Sequence, residues 1–130
     1  PQKGIGTLIQ AVVDVERIFD PNSVKVVTDV EGYALYFSRS PIPFIRKEAD
    51  KEKRLEHQPF YTHIGIYGFS NEAILKIKSM SPASLEMAES LEQLRWLAHG
   101  LRIKTAITEL YSPAVDTPED LERILQIYRP

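Results

Sequence analysis

The chain has 130 residues, close to the usual size of one domain, and 43% of them are apolar, enough to fill a single core. Sixteen basic and eighteen acidic residues give a net charge of −2, which excludes the basic excess of a general nucleic-acid binder. The absence of cysteine excludes disulfides, a thiol nucleophile and a thiolate zinc site, and the longest uncharged stretch, His57 to Asn71, is too short and polar to span a bilayer.

Gly6 to Gln10 reads as a short strand and Val12 to Phe19 as a short helix, although Ile5, Leu8, Ile9, Val12 and Val15 also fit one longer helix. Asp20-Pro21-Asn22-Ser23 is a turn cluster that stops either element. Val24 to Thr28 is β-branched, Asp29 to Gly32 turns, and Tyr33 to Ser38 is again strand-like, so the pair predicts a hairpin. Pro41 and Pro43 then break the chain. Residues 46–57 carry five basic and four acidic side chains with no apolar stripe, which predicts a solvated, mobile loop.

Tyr61 to Phe69 is an aromatic strand interrupted by Gly65 and Gly68, and glycine inside a strand often marks close approach of a ligand or another backbone. A short helix over Asn71 to Ser79 follows, with Ser70 as its cap. The next helix reads as one element from Ser81 to Gly100, with Ser81 as cap, Pro82 in the first position, Gly100 at the exit, and an apolar stripe of Leu91, Leu94, Ala98 and Leu101. Ile103 to Leu110 alternates as a strand. Thr117-Pro118-Glu119-Asp120 is a capping box that opens a terminal helix running to about Tyr128. Strands and helices are mixed throughout, so the class is α/β or α+β, in one domain over residues 1–130.

No glycine-rich phosphate loop, nucleophile elbow or helical histidine pair is present, and three scattered histidines leave little room for an all-imidazole metal site. Four places carry chemistry. Arg39 ends the second hairpin strand, where its guanidinium fork suits a carboxylate or phosphate or simply faces water. His63 and Tyr67 are four residues apart and share one strand face, either lining a sugar-sized hollow or filling the core. Glu92 and Gln93 lie between core leucines, about 100° apart on a helix, as ligand contacts or as solvent-facing residues. Asp116 stands at a strand-to-helix corner and is freed from capping by Thr117. It suits Mg²⁺, or is an extra helix-start acid.

In this order and spacing, Asn22–Val27, Ala34–Pro43, His63–Phe69, Leu91–Arg95 and Val115–Leu121 closely resemble the 3-deoxy-manno-octulosonate cytidylyltransferases, the CMP-Kdo synthetases of lipopolysaccharide synthesis. The resemblance covers nearly the whole chain but only the C-terminal half of the family. It implies part of a Rossmann-like nucleotide-diphospho-sugar transferase fold, a mixed sheet with flanking helices, whose nucleotide-binding half is missing. The opening at Pro1, without methionine or signal segment, agrees with a piece of a longer cytoplasmic protein. The resemblance further implies an enzyme, inactive as this piece alone, that joins CTP to Kdo with Mg²⁺ and releases pyrophosphate. Arg39 would hold the Kdo carboxylate. His63, Tyr67, Glu92 and Gln93 would bond sugar hydroxyls, and Asp116 would be a catalytic carboxylate on the metal. A homodimer is implied, with no nucleic-acid or membrane partner. Related acidic sugars (amino-Kdo, a sialic acid) and a non-catalytic interaction module are the alternatives.

Overall fold

The computed structural model describes residues 4–110, 115 and 117–127. β1 (Ile5–Ala11) alternates buried and half-buried positions, which sets Ile5, Thr7 and Ile9 on the covered face of the sheet. This alternation decides against the longer helix, and helix appears only at α1 (Glu16–Phe19). β2 (Lys25–Thr28) and β3 (Ala34–Ser38) form the expected hairpin. In its turn Gly32 takes a φ of 78°, and Asp29 Oδ1 accepts the N–H groups of Glu31 and Tyr33. β4 (Tyr61–Phe69) pairs antiparallel with both β1 and β2, while β5 (Ile103–Ile107) runs parallel to β1. The mixed sheet therefore has the order β3-β2-β4-β1-β5.

One face of the sheet is covered by α3 (Asn71–Lys78) and α5 (Gln93–Ala98), whose Ala73, Leu94 and Trp96 join Ile5, Ile9, Val26, Phe37 and Ile103 in the main core. Ser70 caps α3 as expected, its Oγ accepting the Ala73 N–H at 3.2 Å. A second cluster of Val12, Val15, Ile18 and Phe60 closes the end of the sheet. The charged segment 46–57, which ends in α2 (Arg54–His57), meets this cluster through Leu55. Lys51 and Arg54 lie over the Phe19 ring at 4.9 and 5.3 Å, and Glu48 pairs with His57 at 3.2 Å.

The single helix expected from Ser81 to Gly100 is two helices. α4 (Ser84–Glu89) stops at Ser90, which takes the left-handed conformation at φ 53°, and α5 starts afresh at Gln93. Ala83 rather than Ser81 precedes the first turn, and its N–H is accepted by Glu86 Oε2 at 3.2 Å. The physical reason lies outside the helix. The carbonyls that α4 would satisfy by continuing, Glu89 O and Ser90 O, take donors from Arg39 at 2.8 and 3.4 Å. Glu86 then clamps α5 through Arg95 at 2.5 Å. The predicted exit at Gly100 holds: Leu101 N–H reaches Trp96 O at 2.9 Å and Gly100 N–H reaches Leu97 O at 3.0 Å.

α6 (Pro118–Ile127) carries the expected capping box, with Thr117 Oγ1 accepting the Asp120 N–H and Asp120 Oδ2 accepting the Thr117 N–H, both at 3.2 Å. Its predicted end at Tyr128 lies outside the described residues. Among those described, no helix is long and apolar enough to cross a membrane.

The break at Ser90 is testable by two substitutions. In a left-handed position alanine is disfavoured against glycine by roughly 1 kcal/mol, whereas inside a continuous helix the preference reverses by about as much. Urea denaturation should therefore rank Ser90→Gly at or above wild type and above Ser90→Ala; the opposite order would mean that α4 and α5 are continuous.

Candidate functional site

Arg39 follows the last residue of β3 and is half-buried. Its Nε donates to Glu89 O at 2.8 Å, Nη1 to Pro21 O at 2.9 Å and Nη2 to Ser90 O at 3.4 Å. Three of the five guanidinium N–H groups are thus engaged by backbone carbonyls, which leaves two for a ligand. The carboxylate of Glu89 returns the contact, accepting Ser38 Oγ–H at 2.6 Å, the Arg39 N–H at 2.9 Å and the Tyr36 hydroxyl at 3.5 Å. Burial raises the affinity of Glu89 for a proton, but these donors outweigh it and hold the carboxyl below the usual range. Lys25, fully buried beside them, donates from Nζ to Asp20 O at 2.7 Å and to Ser23 O. Burial is the main cause that lowers its pKa. Lys25 and Arg39 together fasten the 20–23 turn to the end of β3.

His63 and Tyr67 share the covered face of β4, but not at ordinary strand spacing. Tyr67 pairs with Thr7 and His63 with Ile9, with a register shift between Thr7 and Leu8. β4 spends two extra residues there, Gly65 and Ile66, as a bulge. Residues four apart on a regular strand are roughly 13 Å apart; here the two ring centroids are 5.2 Å apart. Phe37 closes on His63 at 5.0 Å, and Trp96 closes on Tyr67 at 5.0 Å. Thr7 Oγ1 stands 2.9 Å from His63 Nε2. Burial drives the His63 pKa down to about 4, and burial followed by the charge of Glu92 pushes the Tyr67 phenol up. Both rings are therefore uncharged at neutral pH and act as hydrogen-bonding groups.

Glu92 is exposed at the start of α5, near enough to Tyr67 for its charge to be felt. Gln93, next to it, is 6% exposed, so solvent-facing describes Glu92 and not Gln93. His63 and Tyr67 are in direct ring contact, Glu92 lies near enough to Tyr67 for its charge to be felt, and Arg39 bonds the carbonyls three and two residues before Glu92. A Cβ built on Gly65 or Gly68 would meet no heavy atom within 4 Å, so these glycines face open space and not a neighbouring backbone. Asp116, the expected metal carboxylate, lies outside the described residues. Among those described, no three His, Asp or Glu side chains are grouped to hold a metal ion.

Two cavities lie elsewhere. One of about 550 Å³ sits between β2 and the 43–47 segment, bordered by Phe44, Arg46, His57 and Tyr61. The other, of about 720 Å³, is bordered by Gly6, Tyr33, Phe69 and Lys104. None of the five residues lines either.

Sequence reasoning missed Glu89 and Thr7. Thr7 had a signal, a polar residue on the apolar face of a strand between Ile5 and Ile9. Glu89 had none, because its partners are 50 and 51 residues away.

A cytidylyltransferase family model matches residues 2–103. The 3-deoxy-manno-octulosonate cytidylyltransferase of Cytophaga hutchinsonii is 44% identical over 124 residues, covering 95% of this chain and 50% of that protein. That of Geobacter sulfurreducens is 44% identical over 133 residues (97% and 52%), and that of Chloroherpeton thalassium 49% over 123 residues (93% and 48%). A solved structure of CMP:2-keto-3-deoxy-manno-octonic acid synthetase complexed with CTP matches with a TM-score of 0.85 and 35% identity, covering 98% of this chain and 49% of that one. The chain spans about half the length of the curated relatives it matches.

The buried imidazole makes stability depend on pH. An unfolded histidine titrates near 6.5 and His63 at about 4, so between these values the unfolded state binds more protons. Stability should fall as the pH drops through that window, by at most about 1.4 kcal/mol per unit from this group. Urea titrations of wild type and His63→Gln check it: the variant should lose part of the slope between about pH 6.5 and 4.5, and identical slopes would mean that His63 is not held neutral by burial.

Proposed function

The chain belongs to the cytidylyltransferase family, and from that premise we propose that it is the acid-sugar half of a CMP-Kdo synthetase. The whole enzyme transfers CMP from CTP to 3-deoxy-D-manno-octulosonate, as a homodimer in the cytoplasm. One observation carries the reading. His63 and Tyr67, two uncharged ring donors and acceptors, touch on the covered face of β4, with the carboxylate of Glu92 near enough for its charge to reach Tyr67, while a buried amide (Gln93) follows Glu92 and a fixed cation (Arg39) bonds the carbonyls just before it. That set suits a polyhydroxylated acid: the two N–H groups left on Arg39 match a carboxylate, and the neutral groups match hydroxyls. The relatives are named for this reaction, and the matching structure holds CTP.

In the reaction the anomeric hydroxyl of the sugar attacks the α-phosphorus of CTP. The new O–P bond replaces the bond to pyrophosphate, and the hydroxyl gives up its proton. Such transfer depends on alignment and charge neutralisation more than on covalent help. The residues of this chain bind and orient the sugar. Arg39 fixes the acid end, and the ring pair with Glu92 and Gln93 fixes the hydroxyl face. We assign Asp116 to Mg²⁺, which when bound neutralises charge on the triphosphate. The described residues make no cation cage alone.

The test joins this chain to the other half of the relatives' length and follows pyrophosphate release and CMP-Kdo formation from CTP and a panel of acidic sugars. Turnover with Kdo well above amino-Kdo and sialic acid is the expected result; none with Kdo would overturn the proposal. In that enzyme Arg39→Ala should raise the Kdo KM at least ~10-fold, on the scale of a lost charge-assisted bond, with the CTP KM unchanged. The same variant should melt earlier, because Pro21 O, Glu89 O and Ser90 O lose their donors. An unaltered Kdo KM would remove Arg39 from the sugar site. Asp116→Asn should lower turnover ~100-fold or more at an unchanged melting temperature. A variant that keeps its rate and melts early would identify Asp116 as a helix-start acid instead.

A further inference from the structure

Thr7 is 5% exposed, and its hydroxyl oxygen has three polar neighbours: Ile66 O at 2.8 Å, Ile64 O at 3.3 Å and His63 Nε2 at 2.9 Å. A hydroxyl has one proton and two lone pairs, and a carbonyl oxygen only accepts. The proton of Thr7 is therefore directed to the carbonyls, Ile66 O being the closer. Were it turned to His63, two oxygens would face each other at 2.8 Å with no hydrogen between them. The only part left for the hydroxyl toward His63 is that of acceptor, so Nε2 must carry the proton. A neutral imidazole protonated on Nε2 bears its lone pair on Nδ1.

The bulge explains why the hydroxyl is there. Both carbonyls lie at the bulge, where regular pairing with β1 is interrupted and a side-chain donor can take the place of the ladder. Thr7 supplies it. The same atom closes the bulge that brings His63 and Tyr67 together and orients the histidine ring inside it.

We propose that Thr7 is a positioning residue that locks His63 in the Nε2–H tautomer, so that Nδ1 faces the ligand as a hydrogen-bond acceptor only. Among the described residues no protein group engages Nδ1, and burial keeps the ring from taking a second proton at neutral pH. His63 then selects a ligand group with a proton to give, a hydroxyl, and discriminates against a keto, ether or fluoro group at the same point. The selection rests on the sugar-binding reading above; the lock itself does not.

The test uses chain labelled with ¹⁵N in its histidine rings and long-range proton–nitrogen correlation spectra without ligand. Wild type and Thr7→Ser should show His63 as a single Nε2–H tautomer with a pyridine-like Nδ1, and Thr7→Val should show tautomer-averaged or displaced signals. A wild-type Nδ1–H tautomer would overturn the lock even if Thr7→Val fails to fold, and so would a folded Thr7→Val with the wild-type pattern. Kinetics in the joined enzyme read the underlying function separately. Thr7→Val should raise the Kdo KM at least 5-fold, with Thr7→Ser restoring it and the CTP KM constant. A locked tautomer with an unmoved Kdo KM would overturn the selection and the role of His63 in sugar binding.

Discussion

The end of β3 and the end of α4 satisfy one another, and the arrangement of the candidate site follows from that exchange. Glu89 gives its carboxylate to the Ser38 hydroxyl and the Arg39 N–H, and Arg39 gives its guanidinium to the carbonyls of residues 89 and 90. Each partner is a group that its own element leaves unpaired: a strand end on one side, a helix C-terminus on the other. Once those carbonyls are taken, α4 has no need to continue and the chain turns at Ser90. α5 then begins with Glu92 beside Tyr67 and with Gln93 folded under. Removing either member would leave partly buried groups unpaired on two elements at once, which costs more than the loss of an exposed ion pair.

A second constraint acts inside the sheet. The core tolerates an imidazole and a phenol side by side because one strand is longer than its neighbour by two residues, and the resulting bulge is closed by a side chain instead of by the ladder. Burial shifts the two rings in opposite directions, histidine down and tyrosine up, and both shifts favour the neutral forms. The charge in this region is left to Arg39 with Lys25 and the Glu89 carboxylate beside it, and to Glu92. Such a division suits recognition of a ligand that is itself an acid at one end and a polyol along the rest.

Much of this was legible in the amino-acid order. β-branched runs with turn residues between them marked the hairpin, alternation marked β5, a short apolar run left β1 open between strand and longer helix, and Ser70, Gly100 and the Thr117–Asp120 pair marked helix ends by local hydrogen bonding alone. All of these depend on interactions within a few residues, which spacing can reveal. The polar residues gathered near α5 were also singled out from the sequence, because polar groups among apolar neighbours are conspicuous.

What only tertiary structure decided is where distant groups replace a local rule. Ser81 and Pro82 had the composition of a helix start and the following residues that of one helix, yet Arg39, some 50 residues earlier, supplies the donors that end it at Ser90. Gln93 looked no different from Glu92 in sequence; Gln93 is buried and Glu92 is not, since the break sets the rotation of α5. His63 and Tyr67 were correctly assigned to one face, but their ring contact needed the bulge, and the bulge needed Thr7 from another strand. The sequence by itself determined the elements and most of their ends, because those are governed by hydrogen bonds to near neighbours. The helix break, the bulge and the burial of individual polar groups were decided by the tertiary structure, because their partners meet only after the chain has folded.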